Sequence, residues 1–299
     1  MHQESRPKML IPPWLILVKE KAAVVVITAS ILFLLYFASV PLSKALVKLG
    51  NNAFSAGNDF WGIAIYNLAG LFNGELKDFV DQCYRYNAQQ QYELAISSCN
   101  KAIEIDSNYA TAYSYRGYAY LRLRKYDQAI ADFSTDIELI PVATRSYINR
   151  GAAYMEQNQN DLAVAEFTKS IEINSKEPQA WLNRGLAYFK NGQSDLAVAD
   201  CSKAIDLGAK YYNEYMCLGL AFIDQQNYEL AITNFNKAID IAPNAMASTL
   251  YCFKGVAYAK NGDFESAIIA LESGLKLDVA NENGWCKTAL DNAQKGIAP

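Results

Sequence analysis

A 34-residue step in the positions of small and aromatic residues constrains this chain more than any other feature. Glycine recurs at this interval in one register and alanine in another, and an aromatic residue follows each glycine three residues later. The glycines are Gly117, Gly151, Gly185 and Gly219, and the alanines are Ala95, Ala129, Ala163, Ala197 and Ala231. A fixed period of this length indicates a solenoid of stacked units, each too small to bury its own apolar face alone.

Apolar residues within one period recur at helical spacing in two separate runs. The first run includes Tyr113, Gly117 and Tyr120, and the second includes Ala129, Phe133 and Ile137. Turn-prone stretches such as 158–160 and 191–194 lie between the runs. Each unit is therefore predicted to be a pair of antiparallel helices, which approach closely where Gly117 and Ala129 supply no bulky side chain.

Successive units contain the segments RGYAYLRLRKYDQAIADF, RGAAYMEQNQNDLAVAEF and RGLAYFKNGQSDLAVADC. They resemble tetratricopeptide repeats, whose pattern is an aromatic residue, then Gly, Tyr, Ala, Phe and often a closing Pro. The resemblance is to repeats of a bacterial or cyanobacterial type, and it implies an all-α fold. The expected architecture is a solenoid in which antiparallel helix pairs wind into a right-handed superhelix.

Six units follow from the period. They are 76–109, 110–143, 144–177, 178–211, 212–247 and 248–281. The first is atypical because Cys83 stands where the glycine is expected, and the fifth is two residues longer than the others. Residues 282–299 are expected to form a capping helix and a tail.

One long apolar run precedes the repeats. Residues 22–40 are 19 residues without a charge, and at about 1.5 Å per residue a helix of this length spans the ~30 Å hydrocarbon core of a bilayer. We expect one N-terminal transmembrane helix here, after a cytoplasmic or interfacial segment over 1–21. A cleaved secretory signal is the less favoured alternative, because no clear cleavage motif follows the run. Residues 43–75 are predicted to be a degenerate repeat or a membrane-proximal helical hairpin.

Charge predicts the orientation and excludes one class of partner. Four Lys or Arg residues precede the apolar run and two follow it closely. The positive-inside tendency therefore places the N-terminus in the cytoplasm and the repeats on the far side of the membrane. The first fifty residues carry a net charge of +4, so the remainder must carry −8 to reach the total of −4. We do not expect such an acidic repeat domain to bind nucleic acid, because nucleic-acid binders carry clustered Lys and Arg.

The sequence offers little for catalysis. Its one histidine is His2, near the N-terminus, which argues against histidine-based acid–base chemistry and histidine-containing metal sites. A glycine-rich phosphate loop is also missing. We therefore expect a protein that is not an enzyme and that has no cofactor or metal site.

Six cysteines occur, and none belongs to a CxxC pair. They are Cys83, Cys99, Cys201, Cys217, Cys252 and Cys286. The favoured interpretation is buried thiols that act as small apolar side chains. Disulfides become permissible if the repeats are exported, with Cys83–Cys99 and Cys201–Cys217 as candidate pairs.

A second stripe on the first helix of each unit carries apolar residues at its centre and polar residues at its edges. In tetratricopeptide repeats this face lines the concave groove that binds peptides, so the resemblance implies the same use here. The predicted groove residues are Tyr118, Leu121, Arg122, Ile148, Asn149, Met155, Leu182, Asn183, Leu186, Phe189, Met216, Leu220 and Ile223. The alternative is that part of this apolar stripe serves only the stacking of neighbouring units.

These features predict a membrane-anchored scaffold or adaptor that binds a partner protein's peptide or helix in the groove. The lipid bilayer would be contacted through residues 22–40. Two other roles stay open. One is assembly of a large membrane complex, as similar proteins do for photosystem I in cyanobacteria. The other is a structural role through self-association into homo-oligomers.

Overall fold

The computed structural model describes residues 74–278 and 283–298, together with Leu49. Within these residues all regular structure is helical, in thirteen helices joined by short turns. Their bounds are α1 Gly74–Ala88, α2 Tyr92–Ile105, α3 Ala110–Arg122, α4 Tyr126–Leu139, α5 Thr144–Glu156, α6 Asn160–Ile173, α7 Pro178–Lys190, α8 Ser194–Asp206, α9 Tyr212–Asp224, α10 Tyr228–Ile241, α11 Asn244–Lys260, α12 Phe264–Leu277 and α13 Gly284–Gln294. The predicted all-α fold is confirmed.

The chain divides into two compact units. Among the described residues, the smaller unit contains 74–81 and 101–109. In this unit the Lys101 ammonium lies 5.1 Å from the centroid of the Phe79 ring, a cation–π contact. The larger unit contains the rest of the described repeat region and carries every feature of the candidate site.

Helices of the larger unit pack on their neighbours along the chain. From α3 onward each odd-numbered helix packs against the even-numbered helix that follows, and that helix packs against the next odd-numbered one. Successive odd-numbered helices from α3 to α11 also contact one another directly. We call the odd-numbered helices from α1 to α11 the first helices. Nearest-neighbour packing of this kind is the defining property of a solenoid.

Glycines of the repeat lie where the two helices of a pair cross. A Cβ atom added to Gly151 would lie 2.7 Å from Cε1 of Phe167, and one added to Gly219 would lie 2.6 Å from Cε1 of Phe235. Both rings are fully buried. A side chain at either glycine would displace a buried ring, so the predicted close approach of the two helices is confirmed.

The turn after a first helix needs a residue whose backbone adopts the left-handed conformation, with a positive φ. Asn158 has a φ of 58° and Gly192 a φ of 70°. The following amides of Gln159 and Gln193 donate to the carbonyl oxygens five residues earlier, at 2.8 and 2.9 Å. This is the Schellman arrangement that closes a helix C-terminus. The turns predicted at 158–160 and 191–194 therefore arise from local backbone chemistry.

The extra length of the fifth unit appears at the next helix. α11 has 17 residues and begins at Asn244, four residues before the unit boundary expected at 248. Pro243 stands directly before it with a φ of −63°, and a proline at this place favours a helix start because its φ is already fixed. The additional residues therefore extend a helix instead of a loop.

Several predictions concern parts of the chain that the structure does not describe. The segments 1–21 and 22–40 lie outside the described residues, as do nearly all of 43–75 and the stretch 279–282. Among the described residues, none of the helices has the length and apolarity needed to cross a bilayer. The transmembrane helix predicted at 22–40 therefore stays a prediction.

Candidate functional site

Three arginines connect successive units. Each guanidinium makes a bidentate ion pair with an acid sixteen residues later in its own unit. The pairs are Arg116–Asp132, Arg150–Glu166 and Arg184–Asp200, with N···O distances of 2.7 to 3.0 Å. The Nη1 atoms donate to Asn100, Ser134 and Thr168, each on the second helix of the preceding unit.

These contacts fix the orientation of the first helices. A planar guanidinium that holds a carboxylate on one side and a polar group of the preceding unit on the other leaves little freedom to rotate. The hydrogen-bonded Asp132 carboxylate raises the pKa of Arg116. We call Arg116, Arg150 and Arg184 the arginine ladder. They lie on α3, α5 and α7, and the surface of these first helices is the wall that carries the candidate site.

Three cavities lie along that wall. The first, of about 210 Å³, has walls from α1, α3 and α5 that include Tyr84, Asn87 and Tyr115. The second, of about 580 Å³, lies between α3, α5 and the start of α7, and includes Arg122 and Ile148. The third, of about 400 Å³, lies between α7 and α9 and includes Leu182 and Tyr211.

Shared residues make the three cavities continuous. Tyr118, Arg145 and Asn149 line both the first and the second cavity. Glu177 and Gln179 line both the second and the third. The result is one groove that runs across five first helices, from α1 to α9. An extended peptide segment matches a groove of this form better than a compact small molecule does.

Five of the predicted groove residues line these cavities. They are Tyr118, Arg122, Ile148, Asn149 and Leu182. Ile148 and Leu182 are only 8% and 6% exposed and pack into hydrophobic clusters, so they form the apolar floor. Tyr118 and Asn149 are half-buried and Arg122 is exposed, so these three form the walls and the rim.

The other eight predicted residues are half-buried and line none of these three cavities. They are Leu121, Met155, Asn183, Leu186, Phe189, Met216, Leu220 and Ile223. Met155 packs beside Phe167, Leu186 packs beside the cluster of Leu182, and the last three pack around Phe235. These five apolar residues therefore take part in hydrophobic packing. A binding role for the predicted set as a whole stays a prediction.

Six residues that line the first cavity were absent from the predicted set: Tyr84, Asn87, Ala88, Ser114, Tyr115 and Arg145. Tyr84 and Asn87 stand one and four residues after Cys83, the residue that occupies the glycine position of the first unit. In the later units the same offsets give predicted groove residues such as Tyr118 and Leu121. The signal was therefore present, and the missing glycine concealed it.

A buried carboxyl group lies behind the wall of the first cavity. Asp136 of α4 is 3% exposed and accepts a hydrogen bond from the Ser146 hydroxyl. The Ser146 and Ser114 hydroxyl oxygens are 3.2 Å apart, and Ser114 lines the first cavity. Burial raises the pKa of Asp136 to about 6, and the hydrogen bonds from the two serines lower it in part.

All six cysteines are paired. The disulfides are Cys83–Cys99, Cys201–Cys217 and Cys252–Cys286, and every one of these residues is fully buried. The first two are the candidate pairs from the sequence, and the third links α11 to α13. The Cα–Cα distances of 5.4, 6.3 and 5.5 Å lie within the ordinary range for disulfides. The favoured prediction of free thiols is therefore wrong, because helix crossings bring the pairs together.

In the described region, no group of three or more His, Cys, Asp and Glu side chains lies close enough to hold a metal ion. The groove offers tyrosine rings, amides, arginines and an apolar floor. These groups are able to form hydrogen bonds, ring contacts and charge interactions with a molecule bound in the groove.

The fold and the groove define a helical-repeat protein with one continuous groove along its first helices. Models of the tetratricopeptide repeat match residues 84–123, 151–192, 178–210, 212–245 and 248–280, which together cover more than half of the chain. The chain therefore belongs to the tetratricopeptide-repeat family. A comparison with curated proteins gave no match.

Solved structures share the fold at low sequence identity. A structure from the functional characterisation of pilF of Pseudomonas aeruginosa has a TM-score of 0.62 at 13% identity, over 73% of this chain and 97% of that one. A tetratricopeptide repeat protein from Parabacteroides merdae has a TM-score of 0.57 at 16% identity, over 84% and 98%. YrrB, a TPR protein with an unusual peptide-binding site, has a TM-score of 0.50 at 19% identity, over 64% and 97%.

Proposed function

We propose that this protein is a scaffold that holds a peptide or helix of a partner protein in the groove along its first helices. The observation that carries the proposal is the continuity of the three cavities through shared residues. The peptide-binding site of YrrB, a protein of similar fold, is consistent with this use of the family's architecture.

The chemistry of the groove suits a moderate affinity. Burying a few apolar side chains of a partner on the floor contributes about 1.5 to 3 kcal/mol each. Ordering of the partner segment and of the half-buried walls opposes this gain. A micromolar dissociation constant, equivalent to about −8 kcal/mol, is the expected result.

The scaffold is proposed to act at a membrane. Residues 22–40 supply the anchor, because an uncharged run of 19 residues suffices to span the hydrocarbon core. The distribution of Lys and Arg around this run favours a cytoplasmic N-terminus. The three buried disulfides favour the same orientation, because disulfides persist in oxidising compartments and not in the cytosol.

Site-specific photocrosslinking in intact membranes tests the groove. A photoreactive amino acid at Gln179, an exposed residue shared by the second and third cavities, is expected to form a discrete adduct with a partner protein. The control position is Leu162, which is 50% exposed on the second helix α6 and lines none of the three cavities. Equal adducts from both positions, or adducts from Leu162 alone, would refute a groove-specific partner.

A further inference from the structure

Four polar side chains line the first cavity without a hydrogen-bond partner in the described part of the chain. They are Tyr84, Tyr118, Arg145 and Asn149. Among the described residues, none of their side-chain polar groups makes a hydrogen bond or an ion pair. By contrast, every guanidinium of the arginine ladder holds an acid of its own unit. The hydrogen-bonding capacity of the four groups is therefore left to solvent or to a bound molecule.

This set of groups offers more donors than acceptors. A guanidinium only donates, and a phenol hydroxyl and a side-chain amide each add donors. Arg145 is the one charged residue that lines the first cavity, and no Asp or Glu of the described chain lines it. Glu177 lines the second cavity, together with Arg122 and Arg145. In the first cavity, a ligand that presents carbonyl oxygens therefore matches the wall better than one that presents N–H groups.

The demand for carbonyl oxygens decides which backbone conformation of a peptide fits. An α-helix uses all its carbonyls internally except those of its last turn. A β-strand needs the edge of a sheet, and all regular structure of the described residues is helical. A polyproline II segment has no internal hydrogen bonds, so each of its carbonyls is free to accept one from a neighbour. This conformation therefore suits the first cavity best.

The tyrosine rings of the cavity suit the side chain that favours this conformation. The ring centroids of Tyr84 and Tyr115 are 5.6 Å apart, and their planes are inclined by 42°. Tyr84 is 56% exposed, so its ring is accessible. The volume of about 210 Å³ is below the ~300 Å³ at which pockets hold whole drug-sized ligands, so small rings are the appropriate occupants. Proline supplies such a ring, and its lack of a backbone N–H brings no donor to a wall that already carries donors.

We propose that the first cavity binds a proline-rich segment of the partner protein in the polyproline II conformation. The pyrrolidine rings lie against Tyr84 and Tyr115, as in other aromatic-lined grooves that hold such segments. The carbonyl oxygens of the segment accept hydrogen bonds from Arg145 and Asn149. Both of these residues also line the second cavity, so the segment continues from one cavity into the next. This inference rests on the proposed function and names the chemistry of the segment that the groove binds.

Three labelled peptides of equal length test the inference on the full-length chain in detergent, by fluorescence polarisation. The first is a repeat of Ala-Pro-Pro, the second replaces every proline with alanine, and the third is a flexible Gly/Ser peptide. The second and third lose the pyrrolidine rings and the preformed conformation, so each is expected to bind roughly tenfold or more weakly than the first. Equal or tighter binding of the alanine peptide would favour a helical guest and overturn the inference. Equal binding of the Gly/Ser peptide, or no binding of the first, would also overturn it.

Variants of Tyr84 test the ring contact. The residue is exposed, so its replacement leaves the core intact. Tyr84→Ala is expected to weaken binding of the proline peptide roughly fivefold or more, whereas Tyr84→Phe keeps the ring and should retain most of the affinity. Leu162→Ala is the matched control, because it truncates a side chain of similar exposure on α6 that lines none of the three cavities. Wild-type affinity of Tyr84→Ala would refute the ring contact.

Arg145→Met tests the hydrogen bonds to the segment's carbonyls. It removes the guanidinium of an exposed residue and keeps an unbranched side chain. Binding of the proline peptide is expected to weaken roughly tenfold, since hydrogen bonds from a charged donor are stronger than those between neutral groups. Lys203→Met, an exposed change on the second helix α8, should leave the affinity unchanged. Equal affinities of the two variants would contradict the assignment of Arg145 as a donor to the segment.

The two proposals fail in different ways. An adduct from Gln179 together with peptides that do not discriminate would leave the groove function standing and remove only the preference for proline. Absence of a Gln179 adduct from intact membranes, together with absence of peptide binding, would remove both.

Discussion

At the scale of single residues, some contacts of the fold can be predicted from the sequence and others cannot. The contact of Gly151 with Phe167 was predictable, because a glycine and an aromatic residue sixteen positions apart recur with the period. The buried Asp136 was not predictable, because in sequence it is one of several acidic residues on a second helix. Only the fold brings it to the Ser146 hydroxyl of the next unit.

Asp136 should make stability depend on pH. Its pKa is about 6 in the folded protein against 3.8 ordinarily, so between these values the folded state binds more protons than the unfolded state. The contribution of Asp136 to the free energy of unfolding is therefore greatest below about pH 4. It falls by about 2 to 3 kcal/mol as the pH rises through 6. Asp136→Asn should remove that fall and raise the stability measured at pH 7.5 relative to the wild type.

Urea unfolding at a series of pH values between 4 and 8 measures this effect. Asp206→Asn is the control, because Asp206 is exposed at the end of α8 and should leave the pH profile unchanged. A profile for Asp136→Asn that still declines between pH 4 and 6, parallel to the wild type, would show that another group is responsible.

At the scale of helices, the arginine ladder explains how neighbouring units keep their orientation. Its sequence signal is an arginine directly before Gly117, Gly151 and Gly185, with an acid sixteen residues after each arginine. The same register that revealed the glycines thus contained the ladder, but the partner in the preceding unit is an Asn, a Ser or a Thr and has no fixed identity. Variable partners of this kind escape a search for repeated residues.

Arg184→Met should destabilise the protein by about 3 kcal/mol, because it leaves the Asp200 carboxylate buried without its partner. The double variant Arg184→Met/Asp200→Leu should recover most of the loss, since the pair is then replaced by apolar groups. Denaturant unfolding of the two variants measures both effects. A double variant as unstable as the single one would mean that the guanidinium acts through its bond to Thr168 instead.

At the scale of the whole molecule, the repeat period predicted the fold and five of the residues that line the three cavities. The register of glycines and aromatics determines which helix face lies on the groove side, so Tyr118, Ile148, Asn149 and Leu182 were found in advance. The same register does not show where neighbouring units pack against the apolar stripe. Met216, Leu220 and Ile223, which pack around Phe235, are examples. Roles in assembling a membrane complex or in self-association stay predictions.

The state of the cysteines reports on the compartment of the repeats. If the repeats lie outside the cytosol, membranes denatured in a thiol-alkylating reagent without reductant should show no modified cysteine, because all six are paired. The same sample treated with reductant should show six. Modification of all six cysteines before reduction would place the repeats in a reducing compartment and contradict the proposed orientation.

The ladder stops at the fifth unit, where the buried Leu218 occupies the position of the arginine. Leu218 packs in one cluster with Cys201 and Cys217, whose disulfide joins α8 to α9 at the same junction. An ion pair can open and reform within the native protein, whereas a sulfur–sulfur bond cannot do so without a redox partner. Separation of the helices at the junction of α8 and α9 is thereby restricted by a covalent bond, whereas the ion-paired junctions before it can open and close without any redox chemistry.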